Sequence, residues 1–335
     1  MKRFFLLLSV VFCSSIAAIA QEQSSQETAR SFMRSGDFDN AILVLNRALG
    51  QDKNNLDLQK DLSLAYYYKR DYAKALDQVK PMLENDDADV MTYQIGGNIY
   101  KALEEVKEAD KMYKKALKKF PKSGALHSEY GELRWAGKNY DAIELWEKGI
   151  QLDPSFAGNY YNAALFYYYT KDKAWSLIYG EIFVNMESLT ERAAAMKELL
   201  LNGYKEKLFA DVDVMKDQDK IKSDFAKAFL QTMSKQSVAA NRGITTETLT
   251  MIRTRFILDW YKNYAAKYPF KLFDYQQQLL REGMFEAYNQ WLFGTVESLP
   301  IYDNWTKTHP ESYNKFTAFQ KSRIFKMPSG QYYQQ

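Results

Sequence analysis

The chain has 335 residues, 46% hydrophobic and 26% charged, an ordinary globular balance that excludes a disordered chain or a disulfide-stapled miniprotein. Forty-five basic residues face 42 acidic ones, a formal charge of +3, so no global basic field argues for nucleic acid as a partner. Two histidines and one cysteine leave few parts for metal or nucleophile chemistry, and neither metal nor cofactor is expected.

The N-terminus reads as a secretory leader. Lys2 and Arg3 form the charged start, Phe4 to Phe12 the apolar run, and Ala18-Ile19-Ala20 the small-x-small cleavage site. Removal of residues 1–20 would start the mature chain at Gln21. Cys13 lies inside the leader behind the large Phe12, which disfavours a lipoprotein signal. The mature chain would then hold no cysteine, in keeping with an oxidising space such as the periplasm. No later stretch is long and apolar enough to span a bilayer, so an integral membrane protein is not expected.

A repeat follows. Ala41, Ala75, Ala109 and Ala142 stand 34, 34 and 33 residues apart, and one more step of 34 reaches Ser176. Phe38, Tyr72 and Tyr140 precede these small residues, with Val106 at the aromatic place in the third copy. Leu45, Val79, Tyr113 and Trp146 follow four residues after them. Ala29, Ser63, Gly97 and Gly131 stand twelve or eleven before, which places a one-residue deletion in or near the fourth turn. Pro121 and Pro154 close the third and fourth copies. Each copy reads as two helices around a tight turn, with small residues where the axes cross. One copy cannot bury its own apolar face, so the copies must stack.

This period and residue order resemble the tetratricopeptide repeat over about residues 22–186. The expected class is all-α: a solenoid of about five helix-turn-helix repeats, then an aromatic-rich helical domain. Lys53 and Asp87 depart from the closing proline of the first two copies, and the fifth copy has Gly180 where a large residue is usual and Phe183 where a small one is. Ser188-Leu189-Thr190-Glu191 reads as a capping box, opening a cap helix with Met196, Leu200, Tyr204 and Leu208 on one face. The expected domains are 1–20, 21–210 and 211–335.

Beyond residue 210 the period is lost. Helices are expected over about 219–234, 246–267, 273–292 and 311–323, with a loop over 234–245 and an irregular tail from Lys326. Residues 256–335 hold 20 Phe, Trp and Tyr, the content of a packed domain. This half matches no family of known activity.

The resemblance implies a concave groove lined by first helices. Its register puts Lys60, Leu64, Tyr67 and Tyr68 on the groove in the second copy, and Gln94, Asn98 and Lys101 in the third. Glu132 and Trp135 follow in the fourth, and Tyr161, Leu165, Tyr168 and Tyr169 in the fifth. Aromatic faces with amides and lysine between them suit an extended peptide. The competing expectation is that the C-terminal half folds over these tyrosines. The carboxylate-clamp version of the family is not supported, because Gln26 and Arg30 occupy the first-copy positions.

Catalysis is not expected. His127 and His309 read as surface residues. Glu282 and Glu286 stand at i, i+4 on an expected helix, and Asp259 and Asp274 among aromatics, the makings of a carboxylate-dependent glycoside hydrolase. A third alternative is carbohydrate or cell-wall binding through Trp291, Trp305, Tyr332 and Tyr333, the last two expected to be exposed. The leading reading is an exported scaffold that recognises a protein or peptide partner, in the periplasm or in a complex at the cell envelope.

Overall fold

The computed structural model describes residues 25–170, 172–210, 213–216 and 221–334. The expected leader lies outside them. Every regular element among the described residues is helical. The chain divides into two compact units, with the division at Pro121 and Lys122.

The first unit holds α1 (25–34), α2 (Phe38–Gln51), α3 (Leu56–Tyr68), α4 (Tyr72–Glu84), α5 (Val90–Ala102) and α6 (Val106–Lys119). The turn inside each pair is set by one left-handed residue: Gly36, Arg70 and Glu104, at φ of 79°, 66° and 58°. These stand 34 apart, as the alanines do. Only glycine adopts this conformation freely, so Arg70 and Glu104 are held there by the turn. Asp37, Asp71 and Glu105 each donate a backbone N–H back to Phe32, Tyr66 and Tyr100, all at 2.9 Å. Asn55 and Asp89 then cap α3 and α5 with side-chain oxygens, supplying acceptors for amides the helix leaves unpaired.

Small residues sit at the crossings as expected. Ala41, Ala75 and Ala109 are fully buried. A Cβ on Gly97 would lie 1.9 Å from the Tyr113 hydroxyl, so the large side chain of α6 fits only because α5 offers none. Ala109→Leu should therefore destabilise the first unit by about 1–3 kcal/mol. Thermal unfolding followed by circular dichroism checks this, and an unchanged midpoint would mean the crossing has room.

The second unit opens with α7 (Gly124–Ala136), α8 (Ala142–Leu152), α9 (Ala157–Thr170) and α10 (Lys173–Met186). Gly131 repeats the Gly97 device: its Cβ would come within 2.3 Å of Trp146 Nε1, which donates to the Ser128 carbonyl at 3.0 Å. Lys138 takes the left-handed turn position at φ 59°, 34 after Glu104. The one-residue deletion therefore follows it. Tyr140 stays outside the helix and α8 begins at Ala142.

The cap helix α11 (Glu191–Asn202) continues as a π turn, Gly203–Leu208. It begins 34 residues after Ala157, in the register of another first helix. Its N-cap is Thr190, which accepts from the Ala193 amide. Ser188 does not cap, so the expected capping box is corrected by two residues. Met196, Leu200, Tyr204 and Leu208 are all buried. Gly180 is small because α11 crosses there: a Cβ would meet Met196 Sδ at 2.9 Å and Leu200 Cδ2 at 3.0 Å.

The remainder comprises α12 (Asp224–Ser234), α13 (Ser237–Ala240), α14 (Thr246–Asn263), α15 (Lys271–Arg281), α16 (Phe285–Asn289), a π turn (Gln290–Gly294), α17 (Thr295–Glu297), α18 (Leu299–Thr308) and α19 (Pro310–Lys321). The expected helix over 273–292 is in fact broken at Gly283, which turns left-handed at φ 70°. Glu282 ends α15 and Glu286 lies in α16, so they share no helix face. The expected helix over 246–267 stops at Asn263, and the loop over 234–245 contains α13. Helix α18 is additional to the expected elements; Pro300 in its first turn is the signal that marks it. One apolar core runs from Ala142 to Met327, so it crosses the domain boundary expected near residue 210. Phe225 joins it to the tail, stacking on Trp175, Phe273 and Tyr333.

Candidate functional site

In the first unit the first helices are α1, α3 and α5. Polar residues link them in sequence. Gln26 and Arg30 of α1 both donate to Asp61 of α3, at 2.8 and 2.9 Å. Lys60 of α3 reaches Asp89, the cap of α5, at 2.9 Å, and Asp57 at 2.7 Å. Burial works against the Lys60 charge, but hydrogen bonds with Asp57 and Asp89 outweigh it and its pKa is raised. Lys60, expected on the groove, thus serves as a strut between helices. Gln94, Asn98 and Lys101 are half-buried along α5.

The end of α3 carries an aromatic cluster. Tyr68 is 53% exposed. It stacks on Phe38 at 6.1 Å and meets Tyr67 at 5.5 Å, and Tyr67 packs on Tyr72 at 5.6 Å. Burial raises the pKa of the Tyr67 phenol, which keeps it a neutral donor at physiological pH.

The second unit repeats this arrangement on α7 and α9. Asn162 of α9 donates to Ser128 Oγ at 3.1 Å and Glu132 Oε1 at 3.0 Å, both on α7. Asn159 donates to the Gly124 carbonyl at 3.0 Å. Trp135 is half-buried and meets Trp146 at 5.3 Å and Tyr169 at 6.4 Å. Tyr168 packs edge-on against Tyr169 at 5.6 Å. Tyr140 and Tyr169 are 66% and 67% exposed. Tyr67, Lys101, Trp135 and Tyr168 are each the twelfth residue of their helices, so the register places aromatics at three of four equivalent positions.

The cap segment borders this second face. Arg192 lies over the Tyr161 ring at 5.1 Å, and Lys207 over Tyr168 at 4.8 Å. Cation–ring contact of this kind adds about 0.5–2 kcal/mol each. Among the described residues of the second unit, Arg192 and Lys207 of the cap segment are the cations that lie over these rings.

Three expectations about side chains are corrected. His127 is buried, 6% exposed, because α7 turns that face into the core; His309 is exposed. Tyr332 and Tyr333 are half-buried rather than exposed: Tyr332 donates to Glu147 at 2.8 Å and Tyr333 stacks on Phe225 at 5.0 Å. In the tail, Met327 is buried and Gln331, Tyr332 and Tyr333 contact their own chain. Trp291 is covered by Lys197 at 4.0 Å, and Trp305 stacks on His309 at 5.1 Å. These rings do not form a free platform for sugar faces. Asp274 accepts from the Tyr261 hydroxyl.

Two polar clusters escaped the sequence. Glu181 of α10 is buried among Arg253, Gln276 and Tyr288. Glu147 of α8 accepts from Tyr167 and Tyr332. The first had a signal: Glu181 is the one charge in the run Ala174–Val184, otherwise apolar or small. The second had none, because nothing in the sequence brings the tail to α8.

No helix among the described residues is long and apolar enough to cross a membrane. Residues 27–89 match the family model described as tetratricopeptide repeat. Curated proteins give no match. Among solved structures, the chain is similar to a thermophilic TPR protein of Thermus thermophilus, with 16% identity over 54% of this chain and 99% of that one, TM-score 0.46. It is similar to MamA from Desulfovibrio magneticus RS-1, with 15% identity over 51% and 97%, TM-score 0.41. It is also similar to a tetratricopeptide repeat protein from Parabacteroides merdae ATCC 43184, with 16% identity over 72% and 91%, TM-score 0.43. The tetratricopeptide repeat match thus covers residues 27–89, and the left-handed turn and small-residue crossing recur in the same register beyond it, at Glu104 and Lys138 and at Gly97 and Gly131, so a tetratricopeptide-like architecture continues past the matched residues.

Proposed function

We propose that this protein is a scaffold that binds an extended peptide or protein segment through the aromatic ends of its first helices. One observation carries this reading. Each unit leaves a small group of mutually packed rings partly open to solvent at the same helical position. Tyr68 is the open member in the first unit and Tyr169 in the second. Packed tyrosines offer large contact area at low entropic cost, and they dominate peptide and protein interfaces for that reason. The neighbouring amides Gln94 and Asn98 suit backbone groups of an extended chain. We further propose export and action at the cell envelope. The charged start at Lys2 and Arg3, the apolar run behind it and the Ala18-Ile19-Ala20 site support this.

The test uses the full chain as bait for crosslinked capture from an envelope extract. Tyr67, Asn98 and Lys101 are replaced together by alanine in one variant, and Tyr168 and Tyr169 in another. With thermal midpoints preserved, at least one variant should lose capture about tenfold or more. Undiminished capture by both would place binding elsewhere.

A further inference from the structure

We infer that a cleft in the C-terminal half, between the start of α14, the π turn 290–294 and α18, binds a small organic cation of the amine or guanidinium class. The cleft encloses about 660 Å³, within the range of small-molecule sites. None of its lining residues belongs to the repeat array.

Its chemistry is one-sided. Glu247, Glu286 and Glu297 line it, and no lysine or arginine does. Two of these carboxylates are held in place by one oxygen each. Glu297 Oε2 accepts from the Thr246 amide at 2.6 Å and from its hydroxyl. Glu286 Oε1 accepts from Trp305 Nε1 at 2.9 Å. Among the described residues the second oxygen of each carboxylate has no hydrogen-bond donor.

Gln290 is the independent observation. It lines the same cleft and is 9% exposed. Its side-chain amide has no hydrogen-bond partner among the described residues. The amide stands on the wall of an open cleft, so a ligand there can pair with a group that no protein atom engages. Its Oε1 lies where a Cβ on Gly294 would stand, 2.5 Å away, so the glycine leaves the space that this oxygen uses. Both residues belong to a π turn, a rare element that recurs at functional sites.

The unfilled valences are therefore two carboxylate oxygens and both ends of the Gln290 amide, so the charged groups among them are all acceptors. A ligand that fits them donates N–H groups and carries positive charge. Met251, Ile301 and Trp305 supply apolar wall, suited to a short alkyl chain between charged ends. Agmatine and spermidine have this form.

Isothermal titration of the full chain with agmatine and with spermidine tests the site, with uncharged 1,4-butanediol as control. Saturable binding of a cation is expected, weakening as salt rises. The variant Glu286→Gln with Glu297→Gln keeps an acceptor toward Trp305 and Thr246 and should lose affinity about tenfold or more. Should that variant fold poorly, Ile301→Trp narrows the cleft from an exposed position and should have the same effect. The indole N–H resonance of Trp305 should shift on titration. No binding of either cation at millimolar concentration overturns the inference. So does equal binding of butanediol, or affinity that neither variant changes.

Discussion

Replacing Arg253 with alanine should destabilise the second unit by about 3–5 kcal/mol, among the largest effects of any single substitution here. Arg253 and Glu181 are almost wholly buried, with side chains 1% and 4% exposed. Arg253 donates to Glu181 and to Asn289, and lies between 5.2 and 5.5 Å from the rings of Phe285, Tyr288 and Phe293. Glu181 also accepts from Gln276 at 2.6 Å and Tyr288 at 2.7 Å, and Asn185 donates to Tyr288 at 2.7 Å. The network is satisfied as a whole. Removing the guanidinium leaves a carboxylate in an apolar core with nothing to neutralise it, and a cavity beside it. The pair itself need not be stabilising, because burying both charges costs desolvation first. Glu181→Met with Arg253→Met should therefore be milder than Arg253→Ala alone. All six tryptophans lie beyond residue 121, so fluorescence during urea unfolding follows this unit without signal from the first. A single variant no worse than the double would show that the charge on Glu181 is not stranded by the loss of its partner. The network joins α10 of the last repeat to α14, α15 and α16. It therefore gives the C-terminal helices a specific seat on that repeat, which apolar packing alone would leave less defined.

The array was legible because its constraints are local and periodic. A 34-residue step in Ala41, Ala75 and Ala109 states where helices cross, and Gly97 and Gly131 state where a large side chain must enter. The caps Asn55, Asp89 and Ser123 stand at the same step, so they too could be read. The C-terminal half lacks a period, and there the errors have physical causes. An amphipathic pattern over 273–292 passes through Glu282-Gly283, and helical spacing cannot report that Gly283 turns left-handed. His127 has a polar side chain, yet its place on α7 is set by the neighbours that helix packs against. The partners of the candidate groove residues were not legible. The two carboxylates that hold Lys60 come from positions 57 and 89, one of them on the next repeat. The tail could not be placed at all, since Tyr332 meets Glu147 across 185 residues of chain.

Glu147→Gln should flatten the pH dependence of stability in the second unit and raise stability at pH 8 by about 1–3 kcal/mol. Burial pushes the Glu147 carboxyl up to about 7, against hydrogen bonds from Tyr167 and Tyr332 that act to lower it; Asp172 and Glu144 add repulsion. Burial also holds both phenols neutral, above the ordinary tyrosine range. In the unfolded chain Glu147 titrates near its ordinary 4.5. Between 4.5 and about 7 the unfolded state has lost this proton and the folded state keeps it, so stability falls as pH rises through that window. Above about 7 both states are ionised and this group adds no further slope. The full shift corresponds to roughly 3 kcal/mol at about 1.36 kcal/mol per pKa unit, reduced by the solvent that reaches a half-buried side chain. Asp172, also raised by burial, has a slope of the same sign and stays in the variant, so the measured quantity is the difference between the two curves. Tryptophan fluorescence during urea unfolding at pH 5 and pH 8 gives it. The tail should respond with the core: Gln334 donates to the Tyr167 hydroxyl at 2.7 Å, and Ser223 to the Tyr333 carbonyl. Ionising Glu147 beside these contacts weakens the seat of the last residues first. Proteolysis of the tail should therefore quicken from pH 5 to pH 8 more in the parent chain than in the variant. Parallel pH curves for parent and variant would mean that Glu147 is ionised in the fold throughout.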